Sequence, residues 1–393
     1  MSDFILSINA GSSSLKFQLI KMPEEDCILS GQFDGKRTAL TRFSAKKINN
    51  VKKEKDGAWD FTSAVKYLIS FLLEEKLIGN ADEIHCVGHR VAHGGEDYSQ
   101  PVLINEEVKT AILKLSKLAP IHNPINLLCI EAFEEVLPKA KQVAVFDTAF
   151  HQTLPEEQFL YPLPYTLYED NGIRKFGFHG ISHQYISITA GDNFKNEYYN
   201  KVISCHLGSG SSICAIENGR SVATTMGFTP LSGLMMGTRC GDIDPSLPIY
   251  LSQNTQMSPN DVNTMMNNAS GLLGVSELSD DCRVLEQARK QGDHKAALAL
   301  QMYSNRVKET IGRYASILGG VDLLVFTGGI GENSALIRRL VTDSLGYLGL
   351  YLCEESNIKN ESIISRANSK VDVMVINTDE QLMIAREASR VVG

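Results

Sequence analysis

Two short glycine- and serine-rich turns, each held between strand-forming runs, restrict what this chain can fold into more than any other feature. The first is Asn9-Ala10-Gly11-Ser12-Ser13-Ser14, between Phe4-Ile5-Leu6-Ser7-Ile8 and Leu15-Lys16-Phe17-Gln18-Leu19-Ile20. The leading run is mostly apolar, as in a strand buried on both faces. The following run alternates Leu15, Phe17 and Leu19 with Lys16 and Gln18, the pattern of a half-exposed strand. Glycine lets the backbone approach a ligand closely, and successive N–H groups with serine hydroxyls can form a concave anion site. Taken alone, the stretch also reads as an ordinary polar hairpin turn.

The pattern recurs. Aligning Ser7 with Ser204 places Gly11 on Gly208, so that Lys201-Val202-Ile203-Ser204-Cys205-His206 leads into Leu207-Gly208-Ser209-Gly210-Ser211-Ser212 and then Ile213-Cys214-Ala215-Ile216. A third glycine turn, Thr327-Gly328-Gly329-Ile330-Gly331-Glu332-Asn333-Ser334, follows the apolar run Leu323-Leu324-Val325-Phe326 and precedes a helix-like segment. Two hairpins and a strand-turn-helix predict a nucleotide clamped between two related lobes.

With 393 residues, 43% of them hydrophobic, the chain can bury more than one core. A net charge of −8 argues against a nucleic-acid surface but leaves room for a small anion held by a local basic cluster. The eight cysteines lack paired spacing, and no basic region with a long apolar run opens the sequence. The expectation is a cytoplasmic protein with no signal peptide, membrane partner or zinc framework.

Residues 36–57, rich in Lys and Arg, read as exposed strands or loop. From Thr62 a helical stripe of Val65, Leu68, Ile69 and Leu72 is expected to stop near Gly79-Asn80. A short strand then ends on His89-Arg90, before Val91-Ala92-His93-Gly94-Gly95. His85, His89 and His93 sit four apart, but β-type flanks argue against a metal triad. Arg90 reads either as a surface ion pair or as a fork for carboxylate or phosphate. Glu106–Leu118 and 125–136 are expected helices around a corner at Ile121-His122-Asn123-Pro124. Val143–Phe146 is expected to deliver Asp147 at a strand end, either facing a ligand crevice or capping a helix.

Pro155, Pro162 and Pro164 suit a crossing between domains. His179 and His183 have the spacing of a zinc helix, but Gly180 stands where a metalloprotease needs glutamate. His179 is left as an anion donor or a structural histidine. Arg239, in Gly237-Thr238-Arg239, has a glycine setting like that of Arg90, which suggests an anion clamp. Leu300, Tyr303, Val307, Ile311, Tyr314 and Leu318 mark a long core helix. Thr378 and Gln381 form a capping-box pattern ahead of the last helix, where Glu380 serves the helix dipole or a hydrated Mg²⁺.

Together, Asn9–Lys16, His89-Arg90 through Gly95, Phe146–His151, Gly177–Gly180, Gly237–Arg239 and Gly329–Asn333 closely resemble the acetate kinase family, whose superfamily includes sugar kinases, actin and the large heat-shock chaperones. The resemblance implies an α/β, two-lobed, actin-like (ribonuclease H-like) fold. Its sheet, built around a ββ-hairpin, is duplicated and carries helices on both faces. The lobes would be 1–150 with 382–393, and 151–381. It further implies a homodimer that phosphorylates a short carboxylate with ATP and Mg²⁺, Mn²⁺ being an alternative.

By the same resemblance, Asn9 and Glu380 face the metal, Arg90 and Arg239 the carboxylate and transferring phosphoryl, and His179 that phosphoryl. Asp147 orients the arginines or metal, and His122 supports the site. Lys16, His206, Gly208, Ser209, Gly210, Asp281, Arg283, Gly329, Ile330, Gly331 and Asn333 are implied to hold the nucleotide. Ser209 departs from the family's usual asparagine and offers one hydroxyl in place of an amide. Ala92, with Phe178 and Pro230, is implied to line the acyl pocket. Acetate-preferring members commonly carry valine there, so propionate is expected to be accepted nearly as well as acetate or better, a propionate kinase being the alternative to an acetate kinase. The rival readings are a sugar kinase, with Asp147 as a base toward a hydroxyl, and an actin-like or chaperone-like ATPase.

Overall fold

The computed structural model describes residues 3–11, 13–36, 39–47, 52–192 and 199–393; Ser12 of the first turn lies outside them. The chain divides into a first unit, Met1–Gln152 with Asp379–Gly393, and a second, Thr153–Thr378. Residues 151–152 and 379–381 group with the first unit in this division. Asp379 caps the last helix, accepting from Leu382 N at 2.9 Å, so the start of the helix belongs with its body.

The first unit holds β1 (Asp3–Ala10), β2 (Ser14–Met22), β3 (Asp26–Lys36), β4 (Ala39–Lys47), β5 (Lys52–Trp59), β6 (Ile84–Val91), β7 (Val102–Leu103) and β8 (Lys141–Phe146), in the sheet order β5-β4-β3-β2-β1-β6-β8-β7. The second holds β9 (Lys201–Leu207), β10 (Ser211–Glu217), β11 (Arg220–Thr224), β12 (Leu323–Thr327) and β13 (Asp372–Val375), ordered β11-β10-β9-β12-β13. The series β3-β2-β1-β6-β8 repeats the second sheet strand for strand. In each, two antiparallel junctions are followed by two parallel ones. This is the duplicated sheet the turns implied. Ser7 and Ser204, both fully buried, occupy the same place in the two copies.

Each of these serines ties its central strand to a covering helix. Ser7 Oγ donates to Gln381 Oε1 (2.6 Å) of the helix Glu380–Val392, and Ser204 Oγ meets His183 Nδ1 (2.9 Å) of the helix Gly180–Asp192. Gly88 of β6 lets the last helix come close, because a Cβ there would lie 2.8 Å from Ile384 Cγ2. The second core is built on the helix His294–Leu318, whose buried face includes Leu300, Tyr303, Val307, Ile311, Tyr314 and Leu318, as its spacing predicts.

Several local expectations are corrected. The helix from Phe61 ends at Glu74, before Gly79, because Lys76 takes a left-handed φ of 55° and its N–H bonds Leu73 O at 3.0 Å. The helix Glu106–Lys114 gives way to a 3-10 turn over Leu115–Lys117, and the next begins at Asn123. The capping box foreseen for Thr378 and Gln381 is replaced by the Asp379 cap, since Gln381 bonds Ser7 and Thr378 Oγ1 bonds Ser182. The third glycine turn is itself a helical segment, Gly328–Asn333. Gly328 has φ 77°, and a Cβ there would meet Leu207 O at 2.8 Å.

The Lys-rich stretch near residues 36–57 contributes β4 and β5. It pairs as strand because its other face carries an aromatic layer: Phe33 and Phe43 rings lie 4.9 Å apart, and Tyr67 of the helix Phe61–Glu74 lies 5.1 Å from Phe43.

Candidate active site

In the first unit, parallel pairing of β6 and β8 sets Arg90 opposite Val145. One residue past β8, Asp147 donates its N–H to Val91 O at 2.9 Å, which turns the carboxylate back onto the arginine. Arg90 Nη2 donates to Asp147 Oδ2 at 2.9 Å, with the side chains only 18% and 3% exposed. Burial opposes the charge on Arg90, yet Asp147 and then Glu380 outweigh it and hold the guanidinium above its ordinary pKa. Burial raises the Glu380 carboxyl and Asp147 adds to that, while Arg90 and Lys16 pull it down. Arg90, Asp147 and Glu380 therefore form one electrostatic group. Asn9 and Lys16 sit opposite each other in the β1–β2 register.

His122 stands at the start of the helix Asn123–Val136, whose first turns clamp the chain beyond Arg90. Asn126 Oδ1 accepts from Ala92 N at 3.0 Å while its Nδ2 donates to Ala10 O at 2.9 Å. Asn123 accepts from His93 N at 3.2 Å and donates to His93 O at 3.1 Å. Neither asparagine was singled out from sequence, because nothing in the spacing joins them to the strand ends they hold. His89 and His93 are buried, which pushes both imidazoles down to about 4, and His89 Nε2 meets Gln142 Oε1 at 2.8 Å. His85 is exposed, so the three share no common site.

In the second unit, His179 adopts a left-handed φ of 56°, a conformation that costs a non-glycine residue energy and often marks a functional position. A side-chain relay aims it. Ser204 meets His183, His183 Nε2 meets Ser212 Oγ at 2.8 Å, and Ser212 Oγ meets His179 Nδ1 at 3.0 Å. His206 stacks on His179, their ring centroids 4.3 Å apart, and is held through Nδ1 by Ser182 Oγ at 2.8 Å. A Cβ on Gly210 would lie 3.4 Å from His179 Nε2 and 3.5 Å from Arg239 Nη1. The glycine keeps the turn open where histidine and arginine converge. Arg239 Nη1 donates to Pro230 O at 3.1 Å and lies 3.5 Å from Met236 Sδ. Desolvation lowers its pKa, and among the described residues it makes no ion pair.

A cleft of about 860 Å³ lies beside this group, lined by Gly208, Ser209, Asp281, Arg283, Gly329, Ile330 and Asn333 among others. Asp281 caps the helix Cys282–Lys290, and hydrogen bonds from Arg283 hold its carboxyl below the usual range. Gly331 is buried behind the cleft rather than lining it, and its carbonyl accepts from Arg338 Nη1 at 2.8 Å. Sequence reasoning missed Arg338, which also donates to Glu332 O and to both Asn357 oxygens. It missed Glu332 as a brace as well: Oε1 accepts from Gly328 N at 2.9 Å and Thr378 N at 3.1 Å.

The chain has close relatives. The Acetokinase family model matches residues 4–386. An acetate kinase of Clostridium botulinum (strain Langeland) is 47% identical over 98% of this chain and 99% of its own length. A propionate kinase of Salmonella typhimurium is 48% identical over 100% and 97%. The crystal structure of Porphyromonas gingivalis acetate kinase superposes with a TM-score of 0.94 at 39% identity, covering all of both chains. A Francisella tularensis propionate kinase structure gives 0.93 at 39% identity, over 99% of this chain and 100% of that one. By its family model, its full-length relatives and its fold, the chain belongs to the acetokinase family.

Proposed function

We propose that this protein transfers the γ-phosphoryl group of ATP to acetate, forming acetyl phosphate and ADP, and that propionate is an alternative acceptor. The observation that carries the reading is the convergence of His179 and Arg239 on Gly210, beside the cleft at Gly208 and Ser209. A carboxylate oxygen attacks the γ-phosphorus as the bond to the ADP oxygen breaks. The acceptor is already ionised at pH 7, so no general base is needed. Positioning and charge neutralisation then make up most of the catalysis. Arg90 and Arg239 supply fixed positive charge, Asp147 holds Arg90 in place, and His179 presents Nε2 while Ser212 occupies Nδ1.

The first-unit group suits a hard cation. Two carboxylates, Asp147 and Glu380, lie within electrostatic reach of each other, and carboxylate oxygens are donors of the kind Mg²⁺ takes while keeping several waters; the amide of Asn9, on β1, would add a third. Bound with the nucleotide, Mg²⁺ would supply neutralisation of phosphate charge. Glu380→Gln should then raise the Mg²⁺ concentration needed for half-maximal rate by tenfold or more with little change in thermal stability. Unchanged Mg²⁺ dependence would return Glu380 to a helix-dipole role.

A hydroxylamine trap tests the activity itself. With ATP and Mg²⁺, hydroxamate should form from acetate and propionate, and its absence with both acids would overturn the reading. Ala92 bears on the preference between them. It is buried two residues beyond Arg90, and alanine leaves more room than the valine common among acetate-preferring members. Ala92→Val should lower kcat/KM for propionate more than for acetate, since one methylene in an apolar pocket is worth about 1–3 kcal/mol. A ratio that does not move makes Ala92 a packing residue only.

The protein is further proposed to be a cytoplasmic homodimer. Among the described residues no helix is long and apolar enough to cross a membrane. Leu247, Ile249 and Tyr250 expose apolar surface on the helix Leu247–Asn254 that a second copy would cover.

A further inference from the structure

The proline-rich segment around Pro155, Pro162 and Pro164 carries a tyrosine that has no part in the transfer chemistry described above. Tyr161 lies half-buried between the short helices Glu156–Phe159 and Thr166–Asn171, and its hydroxyl oxygen accepts from Phe228 N at 2.8 Å. Burial raises the phenol's pKa, so it stays a neutral hydroxyl. Gly227 makes room for the contact. A Cβ there would stand 2.2 Å from the Tyr161 oxygen and 2.4 Å from Ser232 Oγ, and since Gly227 lies outside the left-handed region, space alone keeps a side chain out.

The turn held in this way reaches both groups that face the transferring phosphoryl. Gly227 O accepts from Phe176 N at 3.1 Å and from Gly177 N at 3.3 Å, directly ahead of Phe178 and His179. Phe178 itself packs with Met226 and Met236. Further along the turn, Pro230 O accepts from Arg239 Nη1 at 3.1 Å. Gly233 closes the turn onto the chain just past Arg239: its N–H donates to Asp242 Oδ1 at 2.7 Å, and Asp242 N donates to Gly233 O at 2.9 Å.

We propose that the Tyr161 hydroxyl is a positioning group for phosphoryl transfer: by holding Phe228 N it fixes the turn 226–233, and through that turn it sets Pro230 against Arg239. The inference rests on the phosphotransfer reading and adds a residue to it. Without the hydroxyl, the Phe228 N–H loses its acceptor and the turn relaxes to find another. Arg239 then loses its fixed place, and a shift of about 1 Å in a group that meets the reacting atoms costs up to about a hundredfold in rate.

Steady-state kinetics and hydrogen exchange of the full chain test this. In Tyr161→Phe, kcat/KM for acetate should fall about tenfold while KM for ATP stays within about twofold, because the nucleotide cleft is lined by other segments. The Phe228 amide should exchange about tenfold faster or more. A phenol that only stabilises the fold would lower the unfolding midpoint and leave room-temperature kinetics as they were. Gly227→Ala pushes on the same oxygen and should lower kcat/KM likewise, and adding Tyr161→Phe to it should cost nothing further, since the hydroxyl is already displaced. A parent that phosphorylates neither acetate nor propionate overturns the phosphotransfer reading and this inference with it. With an active parent, this inference alone is overturned if Tyr161→Phe keeps parental kinetics, if its Phe228 amide exchanges as in the parent, if KM for ATP rises about tenfold as well, or if the losses from Gly227→Ala and Tyr161→Phe add in full.

Discussion

Arg239→Ala should lower kcat/KM by a hundredfold or more, about 3 kcal/mol of transition-state stabilisation, and leave the fold as stable as before or slightly more so. The guanidinium is partly desolvated and, among the described residues, pairs with no carboxylate; its Nη1 donates to Pro230 O and Met236 Sδ. Folding keeps this charge at a cost, and its return comes when an anion arrives. A charge preorganised in this way contributes most as negative charge develops in the transition state. Arg239→Lys should recover part of the rate, because an ammonium keeps the charge but lacks the planar fork.

Arg90→Ala should cost as much in rate but differ in stability. It removes the guanidinium that donates to the Asp147 carboxylate, 3% exposed, so thermal unfolding should move down by an amount equivalent to about 1–3 kcal/mol. Steady-state kinetics with acetate and thermal denaturation of both variants check the pair. Near-parental turnover in both would remove the arginine clamp from the mechanism. Equal loss of stability in both would show that Arg239 is structural after all.

The largest effect on folding is expected at Arg338, the fully buried arginine behind the glycine segment. Its guanidinium donates to Gly331 O, Glu332 O, Asn357 Oδ1 and Asn357 O at 2.7–2.9 Å. Desolvation lowers its pKa to about 10, with Glu286 opposing, so the charge is held mainly by carbonyl dipoles. Arg338→Met fills similar volume but leaves these acceptors buried and unmet. At about 1–3 kcal/mol for each acceptor that finds no water, a total loss of about 3–5 kcal/mol is expected. Urea unfolding measures it directly. Gly329, Ile330 and Asn333 line the cleft, so the same variant should raise KM for ATP more than KM for acetate. A loss below about 1 kcal/mol would mean that the helical segment Gly328–Asn333 holds itself.

The resemblance that supplied the site residues rests on short local motifs, and these are the parts a sequence displays well. Asn9 to Lys16 and Leu207 to Ser212 declare themselves because alternation and glycine sit within a dozen residues of each other. Arg90 and Arg239 stood out by their glycine settings, yet only the structure separates them: one is salt-bridged to Asp147, while the other makes no ion pair among the described residues. From sequence, His179 reads equally as an anion donor or a structural histidine. The structure adds its left-handed backbone and the relay through Ser212 and His183, which fix the direction of its ring.

By itself, the sequence determined the hairpin repeat, the buried stripe of the long helix and the family. Each depends on periodicity or on residues close together in the chain, where backbone geometry makes spacing equivalent to position. Tertiary structure alone decided where the helices end and what aims the functional groups. Lys76 rather than Gly79 closes one helix, and Asp379 rather than Thr378 opens another. Asn126 reaches Ala10 across 116 residues, and Ser7 reaches Gln381 across 374. A hydrogen bond between a side chain and a distant partner leaves no periodic trace, because any polar residue of suitable length could make it once folding brings the partner near. The physical constraint is the buried donor or acceptor that must be satisfied, and that demand exists only in the folded molecule.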